Sequence, residues 1–259
     1  MYSCRFPNEP LDRKALESDY QVSTFPGEPQ VASKARRKIE RALESQGVVI
    51  LPPCDAGELL RNLGGIGIEG TCTVLDPWYN KGFGGVVDRD EYDKFIASLL
   101  ELSAQLTPHV YLWGFPEIVA RYVEDIPESL KLEAWLTWYY KNNPSVIRGW
   151  RSAQNACLHF KRSDGVMHPE HFLTEKQLEK QRQGKLRYMP GPTSVIDDQF
   201  SEEDAFEKID EVIQEALMIG FVKKGEQTGH PSQKPVSVYD RIIRMATIEG
   251  EVVIDPMAG

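Results

Sequence analysis

Residues 71–79 read Thr-Cys-Thr-Val-Leu-Asp-Pro-Trp-Tyr, and this stretch decides the fold. Its first five residues are β-branched or apolar, which is typical of a buried strand. Because Pro77 has no amide proton to donate to a sheet, the strand is predicted to end at Asp76. A second apolar run at 252–254 is followed by another Asp-Pro pair, at 255–256. Two strands of the chain are therefore each predicted to present a carboxylate at their carboxyl end.

Helical and strand patterns alternate along the chain around these two stretches. Helices are predicted over 33–46, 55–64, 91–106, 116–122, 175–184, 201–217 and 235–249, and strands over 48–51, 71–75, 109–113, 132–140, 155–160 and 251–255. This alternation predicts an α/β fold with a mostly parallel sheet, helices on both faces and one antiparallel strand pair. Ligands bind at the carboxyl ends of the strands in such sheets, so Asp76 and Asp255 mark the predicted site.

The chain is predicted to divide into four parts. Residues 1–33 contain four prolines and form an irregular arm, and 34–162 form the first part of an α/β core. Residues 163–228 are mostly polar and form an insertion. Residues 229–259 supply the last helix and strand of the core and end within a glycine-containing turn.

Composition excludes several classes of protein. The 259 residues carry a formal net charge of −9, contain no apolar stretch of membrane-spanning length, and begin without the apolar segment of a secretory signal, which predicts a cytoplasmic location. The four cysteines are scattered, which favours neither a disulfide framework nor a zinc site. His168 and His171 have the H-x-x-H spacing of a ligand pair, but no third ligand is evident in the sequence, so no metal is predicted.

The residues at 76–79 suit the recognition of an exocyclic amine. The Asp76 carboxylate and the Pro77 carbonyl are acceptors, and together they can bind the two N–H groups of such an amine. Trp78 and Tyr79 offer aromatic faces to a nucleobase. Hydrogen bonds out of the ring plane would free the nitrogen lone pair for attack on an electrophile. A plainer interpretation, in which Asp-Pro only ends a strand and the aromatic rings pack, stays open for this tetrapeptide alone.

Three motifs together resemble a known family. The sequence Asp-Pro-Trp-Tyr-Asn at 76–80 resembles the catalytic motif of the β-class amino-methyltransferases of DNA, His-Pro-Ser-Gln-Lys-Pro at 230–235 is similar to their HPTQKP cofactor motif, and Asp-Pro-Met-Ala-Gly at 255–259 resembles the start of their DPFxGSG motif. The catalytic motif comes first, which is the permuted order of that class. The resemblance covers 48–259.

This resemblance implies a Rossmann-like methyltransferase sheet, S-adenosylmethionine as cofactor and DNA as partner. The catalytic residues would be Asp76, Pro77, Trp78 and Tyr79, with Asp76 and Pro77 accepting from the target amine and Tyr79 stacking on the flipped-out base. Trp78 stands where the family has a second proline. The residues bordering the cofactor would be His230, Ser232, Gln233, Lys234, Pro235, Asp255, Pro256 and Gly259.

Positive charge is concentrated in one segment of the acidic chain. Residues 141–190 hold ten Lys and Arg against four acidic residues, a balance of +6, so the other residues carry −15. The family places its target-recognition region at about 163–228, which the basic segment overlaps. The candidate contacts to DNA phosphates are Arg148, Arg151, Lys161, Arg162, Lys185 and Arg187.

The resemblance predicts methylation of a DNA base as the function. It also favours adenine N6 over cytosine N4, because Asp rather than Ser opens the tetrapeptide. The alternatives are an inactive nucleic-acid-binding subunit of the same fold and methylation of RNA bases or protein amides. The sequence stops at Gly259, inside the cofactor motif. We expect a truncated chain. The alternatives that stay open are a second chain that completes the site, a cofactor-defective relative of the family, and a homodimer.

Overall fold

The computed structural model describes residues 29–80, 86–139, 153–197 and 233–257. The helices are α1 (Pro29–Gln46), α2 (Ala56–Gly65), α3 (Arg89–Leu106), α4 (Pro116–Val119), α5 (Glu175–Arg182) and α6 (Val236–Ala246), with short 3-10 helices at Ala120–Tyr122 and Pro169–Phe172. The strands are β1 (Cys72–Leu75), β2 (His109–Gly114), β3 (Lys131–Tyr139), β4 (Gln154–Lys161), β5 (Val195–Asp197) and β6 (Val253–Ile254).

These strands form one sheet in the order β5-β3-β4-β2-β1-β6. The pairs β1·β2, β1·β6 and β3·β5 are parallel, whereas β4 is antiparallel to both of its neighbours. Five strands therefore point in one direction and β4 alone points in the other. The carboxyl ends of the five strands and the start of β4 share one edge, which we call the upper edge of the sheet.

Side chains of successive strand residues alternate between two cores. In β2, Val110 and Leu112 pack with α2, α3 and α4 on one face, whereas Tyr111 and Trp113 pack with α6 on the other. Helix α6 contributes Val238 to this second core, together with Ile242 and Ala246. Helices thus cover both faces, which confirms the α/β fold class predicted from the sequence.

Polar side chains set the helix starts that hold α2 and α3 on their face. The Asp55 carboxylate accepts from the amide of Glu58 at 2.9 Å, and the Asp88 carboxylate accepts from the amide of Asp90 at 2.9 Å. Each aspartate satisfies an amide that the first helical turn leaves without a partner. Both helices therefore begin within one residue of an aspartate that the sequence itself supplies.

Two sequence predictions about the sheet were wrong. Residues 48–51 form no strand and pair with none of the strands that the structure describes, and Val48 and Ile50 are exposed. Conversely, β5 lies within the segment predicted as an irregular insertion. It pairs with β3 and is itself an edge strand of the sheet, with Ile196 buried in the core on the α6 side. The helix predicted over 201–217 lies outside the described residues. None of the described helices is both long and apolar enough to cross a membrane.

Core packing predicts a large loss of stability on truncation of Leu158, which has 0% exposure in the middle of β4. Leu158→Ala should lower the free energy of unfolding by about 2–5 kcal/mol, because it removes buried methyl groups and leaves a cavity. Urea denaturation measures the change. The control is Ile50→Ala, at a side chain with 84% exposure, which should change stability by less than about 0.5 kcal/mol. Equal effects of the two variants would contradict the assignment of this core.

Candidate active site

The upper edge brings together the two Asp-Pro stretches that the sequence singled out. Asp76 follows β1 directly, and Asp255 follows β6 directly. Because β1 and β6 are parallel neighbours with Thr73 aligned with Ile254, both carboxylates lie at the same edge. The predicted pairing of two carboxylates at the carboxyl ends of strands therefore exists in the folded chain.

Asp76 is held by three donors. Its Oδ1 accepts from the Tyr79 hydroxyl at 3.0 Å, and its Oδ2 accepts from the Lys234 ammonium and from the Tyr239 hydroxyl, the latter at 3.2 Å. The Asp76 side chain keeps 21% of its surface exposed. The carboxylate is thus fixed in orientation while one part of it still faces the solvent.

Lys234 is the buried cation of the site. Its side chain has 2% exposure, its ammonium donates to the Tyr79 hydroxyl at 2.9 Å, and it lies 5.1 Å from the centre of the Trp113 ring. A charge buried to this degree is stable only when it is paired and hydrogen-bonded, and Asp76 supplies the pairing. The Trp113 face adds a cation–π contact. The sequence predicted that Lys234 borders the cofactor, and the structure places its ammonium against the Asp76 carboxylate.

Tyr239 contacts Asp76 but was not identified from the sequence as a residue of the site. It lies on α6, a little over one turn after Pro235, and its ring packs against that of Trp113, with centroids 6.3 Å apart. Burial, and then the negative charge of Asp76, raise the pKa of the Tyr239 hydroxyl, so it remains a neutral donor. The signal that could have found it is its position on the helix that Lys234 precedes.

Asp255 combines solvent access with a strongly perturbed acidity. Part of the residue is exposed, yet the protein packed around its carboxyl group raises its pKa to about 6. The Met257 amide, which donates to its Oδ1 at 2.9 Å, opposes this shift, the Asp76 charge adds to it, and the Lys234 charge opposes it. Asp255 therefore changes its charge close to neutral pH.

Trp78 and Tyr79 take different directions from the chain. The Trp78 ring packs against Tyr92 and Phe95 at centroid distances of 5.3 and 5.2 Å, and its carbonyl accepts from the Tyr92 hydroxyl at 2.7 Å. Tyr79 packs edge-on against Phe115, with centroids 4.8 Å apart. Trp78 therefore anchors the motif to α3, whereas the Tyr79 hydroxyl belongs to the Asp76 network.

Asn80 closes the motif. It has a positive φ of 50°, a conformation that Asn tolerates better than most residues, and its side-chain amide pairs with both backbone groups of Val87, at 2.7 and 3.1 Å. This double hydrogen bond joins the end of the motif to the residue that precedes the Asp88 cap of α3. The backbone after Tyr79 is therefore anchored on both sides of 81–85.

The remaining predicted cofactor residues are described in part. Pro77 and Pro235 are buried. Gln233, which precedes Lys234, and Pro256, which follows Asp255, are partly buried. Three further residues of this set lie outside the described residues, namely His230, Ser232 and Gly259.

Of the predicted DNA contacts, the structure locates two at the end of the sheet away from the upper edge. Lys161 ends β4 opposite His109, the first residue of β2, so it and Arg162 lie at the edge of the sheet opposite to Asp76. Arg162 forms an ion pair with Asp164 there, at 2.6 Å. Because β4 runs in the reverse direction, these two candidate phosphate contacts lie at the end of the sheet away from Asp76. Lys185 and Arg187 are exposed after α5, and Arg148 and Arg151 lie outside the described residues.

Comparison with known protein families assigns the chain to one of them. A family model described as DNA methylase, of the N6/N4 methyltransferase type, matches residues 71–259. The chain belongs to this family of amino-methyltransferases, which confirms the resemblance found in the sequence.

The individual proteins that are similar to this chain share low sequence identity with it. The chain is 24% identical over 201 residues to the type II methyltransferase M.HpaI of Haemophilus parainfluenzae, a match that covers 72% of this chain and 56% of that protein. The chain thus spans little more than half the length of this curated relative. Among solved structures, the M1.HpyAVI–SAM complex is 14% identical with a TM-score of 0.46, covering 78% of each chain. TTHA0409 of Thermus thermophilus is 16% identical with a TM-score of 0.42, covering 79% of this chain and 78% of that one.

The buried ion pair predicts non-additive stability changes. Asp76→Asn should lower the free energy of unfolding by about 3–5 kcal/mol, because it leaves the Lys234 ammonium buried without a negative partner. Lys234→Met should cost less, since Asp76 is partly exposed and keeps two tyrosine donors. The double variant should be more stable than the sum of the two single changes predicts. Urea unfolding of the four proteins at neutral pH measures this coupling, and strictly additive changes would contradict a direct pairing.

Proposed function

We propose that this chain belongs to an enzyme that methylates the exocyclic amine of a DNA base, adenine N6, with S-adenosylmethionine as the methyl donor. The observation that carries the proposal is the Asp76 carboxylate, held at the upper edge by Lys234 and Tyr239 and still partly exposed. Family membership supports the class of reaction, and the cytoplasmic location expected from the sequence is part of the same proposal.

The residues at the edge fit a cationic cofactor. Asp255 lies beside Asp76 with a carboxyl group that is ionised above a pKa of about 6, and a carboxylate in that position attracts a sulfonium or ammonium group. When bound, S-adenosylmethionine supplies an electrophilic methyl group. Asp255, Pro256 and the residues 233–235 are the described part of the surface that would hold it.

Asp76 would bind the target amine through Oδ1. Among the described contacts Oδ2 already accepts two hydrogen bonds, whereas Oδ1 accepts one, from Tyr79. A carboxylate oxygen has two lone-pair directions, so Oδ1 retains one for an amine N–H. The Pro77 carbonyl is the proposed acceptor for the second N–H. Two such bonds would hold the nitrogen close to tetrahedral, with its lone pair available for the methyl group.

Lys234 and Tyr239 would set the direction of Asp76 rather than touch the base. Their donation to Oδ2 holds the carboxylate in one orientation, in which Oδ1 stays available to the target amine. After transfer the amine carries one proton too many, and the Asp76 carboxylate is positioned to accept it. Tyr79, predicted to stack on the flipped-out base, would have to present its ring face while its hydroxyl keeps Asp76 in place.

Methyl transfer itself tests the proposal. The protein is incubated with DNA and radiolabelled S-adenosylmethionine, and the digested nucleosides are separated. We expect label in N6-methyladenine, and Asp76→Asn should lower the rate by at least about 100-fold. Label in N4-methylcytosine would overturn the choice of base, and DNA binding without methyl transfer would favour the inactive-subunit alternative.

Tyr239→Phe gives a matched variant for this experiment. It removes only the hydroxyl that reaches Asp76 and leaves the ring that packs on Trp113. Because Lys234 still holds Oδ2, the rate should fall by less than for Asp76→Asn, and the circular dichroism spectrum should be unchanged. A rate unchanged in Asp76→Asn would contradict the catalytic assignment.

Cofactor affinity should depend on pH through Asp255. Its carboxyl is neutral below about pH 6 and negative above it. Binding of a cation favours the ionised form, so the dissociation constant of S-adenosylmethionine should fall as the pH rises from 5 to 7, by up to about tenfold per pH unit below the pKa. Isothermal titration calorimetry measures it. Asp255→Asn should bind more weakly and without this dependence, and the same pH dependence in that variant would contradict the role of Asp255.

DNA binding should separate the two groups of predicted basic contacts. If Lys185 and Arg187 contact phosphates, replacing both with Ala should reduce the slope of log affinity against log salt by about 2, one unit per lost contact. Lys161→Ala serves as the control, because Lys161 lies at the opposite edge of the sheet, 3.8 Å from Glu133. A reduced slope in the control variant alone would reverse this assignment.

A further inference from the structure

Outside the upper edge, one cluster of side chains has the chemistry of a metal site. His168 directly precedes the 3-10 helix Pro169–Phe172, which contains Glu170 and His171. One potential ligand atom from each of these three residues lies within 4.8 Å of the other two. The structure thus adds Glu170 as the third donor that was not evident in the H-x-x-H spacing of the sequence.

The hydrogen bonds of the two histidines define which nitrogens carry protons. His171 Nδ1 lies 2.8 Å from the backbone oxygen of Arg244, and His168 Nδ1 lies 2.9 Å from a carboxylate oxygen of Glu170. Both partners accept only, so each imidazole donates from Nδ1. His171 is therefore oriented by a backbone carbonyl and keeps the lone pair on Nε2, which is the usual support of a metal-binding histidine.

The distance between His168 and Glu170 also suits a shared ion. Two ligands bound to one zinc ion at about 2.1 Å in tetrahedral geometry are about 3.4 Å apart. The 2.9 Å between Nδ1 and the carboxylate oxygen is close to that separation, and a proton now lies between them. A metal ion could replace that proton, which would move to Nε2 of the same neutral ring. If the His171 ring moved closer by about 1–2 Å, its Nε2 would become the third ligand of the same ion.

Helix α6 holds this turn in place. The His168 amide donates to the backbone oxygen of Met245 at 2.8 Å, and the Arg244 guanidinium donates to the backbone oxygen of His171. The same guanidinium lies over the Phe172 ring, 5.0 Å from its centre, and 3.4 Å from a carboxylate oxygen of Asp240. The guanidinium charge is therefore directed at the His171 carbonyl and balanced by Asp240. Within the cluster, Glu170 supplies a negative charge.

We propose that His168, Glu170 and His171 bind a divalent transition-metal ion, Zn²⁺, with water at the fourth position. Two imidazoles and a carboxylate are ligands that zinc prefers and that magnesium does not. The bound ion would cross-link the turn at 168–172, which α6 already contacts, and so stabilise the segment that leads to α5. This site is independent of the methyl-transfer proposal.

Zinc titration tests the site directly. Metal-free full-length protein, prepared with a chelator that is then removed, is titrated with ZnCl₂ in a calorimeter. We expect one equivalent to bind, and His171→Ala and His168→Ala should each weaken binding by more than about tenfold. Glu170→Gln should also weaken it, whereas Glu175→Gln, an exposed carboxylate of α5 outside the cluster, should not.

Thermal unfolding with and without metal supplies a second readout. Zinc should raise the melting temperature of the natural sequence but not of the His168→Ala/His171→Ala variant, and MgCl₂ should change neither. Each variant must first show the metal-free melting temperature of the natural chain within about 2–4 °C. Absence of zinc binding, or equal binding in the double histidine variant, where exposed Cys54 remains available, would overturn the proposal.

Discussion

The ion pair between Lys234 and Asp76 is the interaction on which the arrangement of the upper edge depends. A nearly fully buried ammonium cannot remain charged without a close anion, and the partner comes from a strand 158 positions earlier in the chain. This requirement fixes the start of α6 over the end of β1. Tyr239 on α6 then reaches the same carboxylate, so one electrostatic constraint aligns a strand end, a loop and a helix.

Local patterns were sufficient to predict where β1 and β6 end and that these two strands belong to a parallel sheet. A proline after an apolar run and the alternation of strands with helices both act over a few residues, and both predictions are confirmed by β1, β6 and their parallel pairing. The contact of Lys234 with Asp76 could not be predicted in this way. Motif order indicates that two segments share a site, but not which atom of one meets which atom of the other.

The missed features have a common physical cause, which is that sequence alone does not contain strand direction or pairing partners. Residues 48–51 have strand-like side chains but pair with none of the described strands. The three residues Val195–Asp197 show no marked strand pattern, yet they pair with β3. Lys161 and Arg162 belong to a basic segment, yet the reversal of β4 carries them away from Asp76. The sequence also offered the Trp78 ring as an aromatic face for a base, and in the structure this ring packs on Phe95 of α3.

The antiparallel direction of β4 between β3 and β2 determines where the connection between β3 and β4 begins and ends. Because β3 ends and β4 begins at the upper edge, the connection between Tyr139 and Gln154 leaves and re-enters the sheet on the same side as Asp76. Connections between strands tolerate changes of length better than the paired strands do. The chain can therefore vary in length between Tyr139 and Gln154 while the pairing of β3 with β4, and with it the position of the Asp76 edge, is kept.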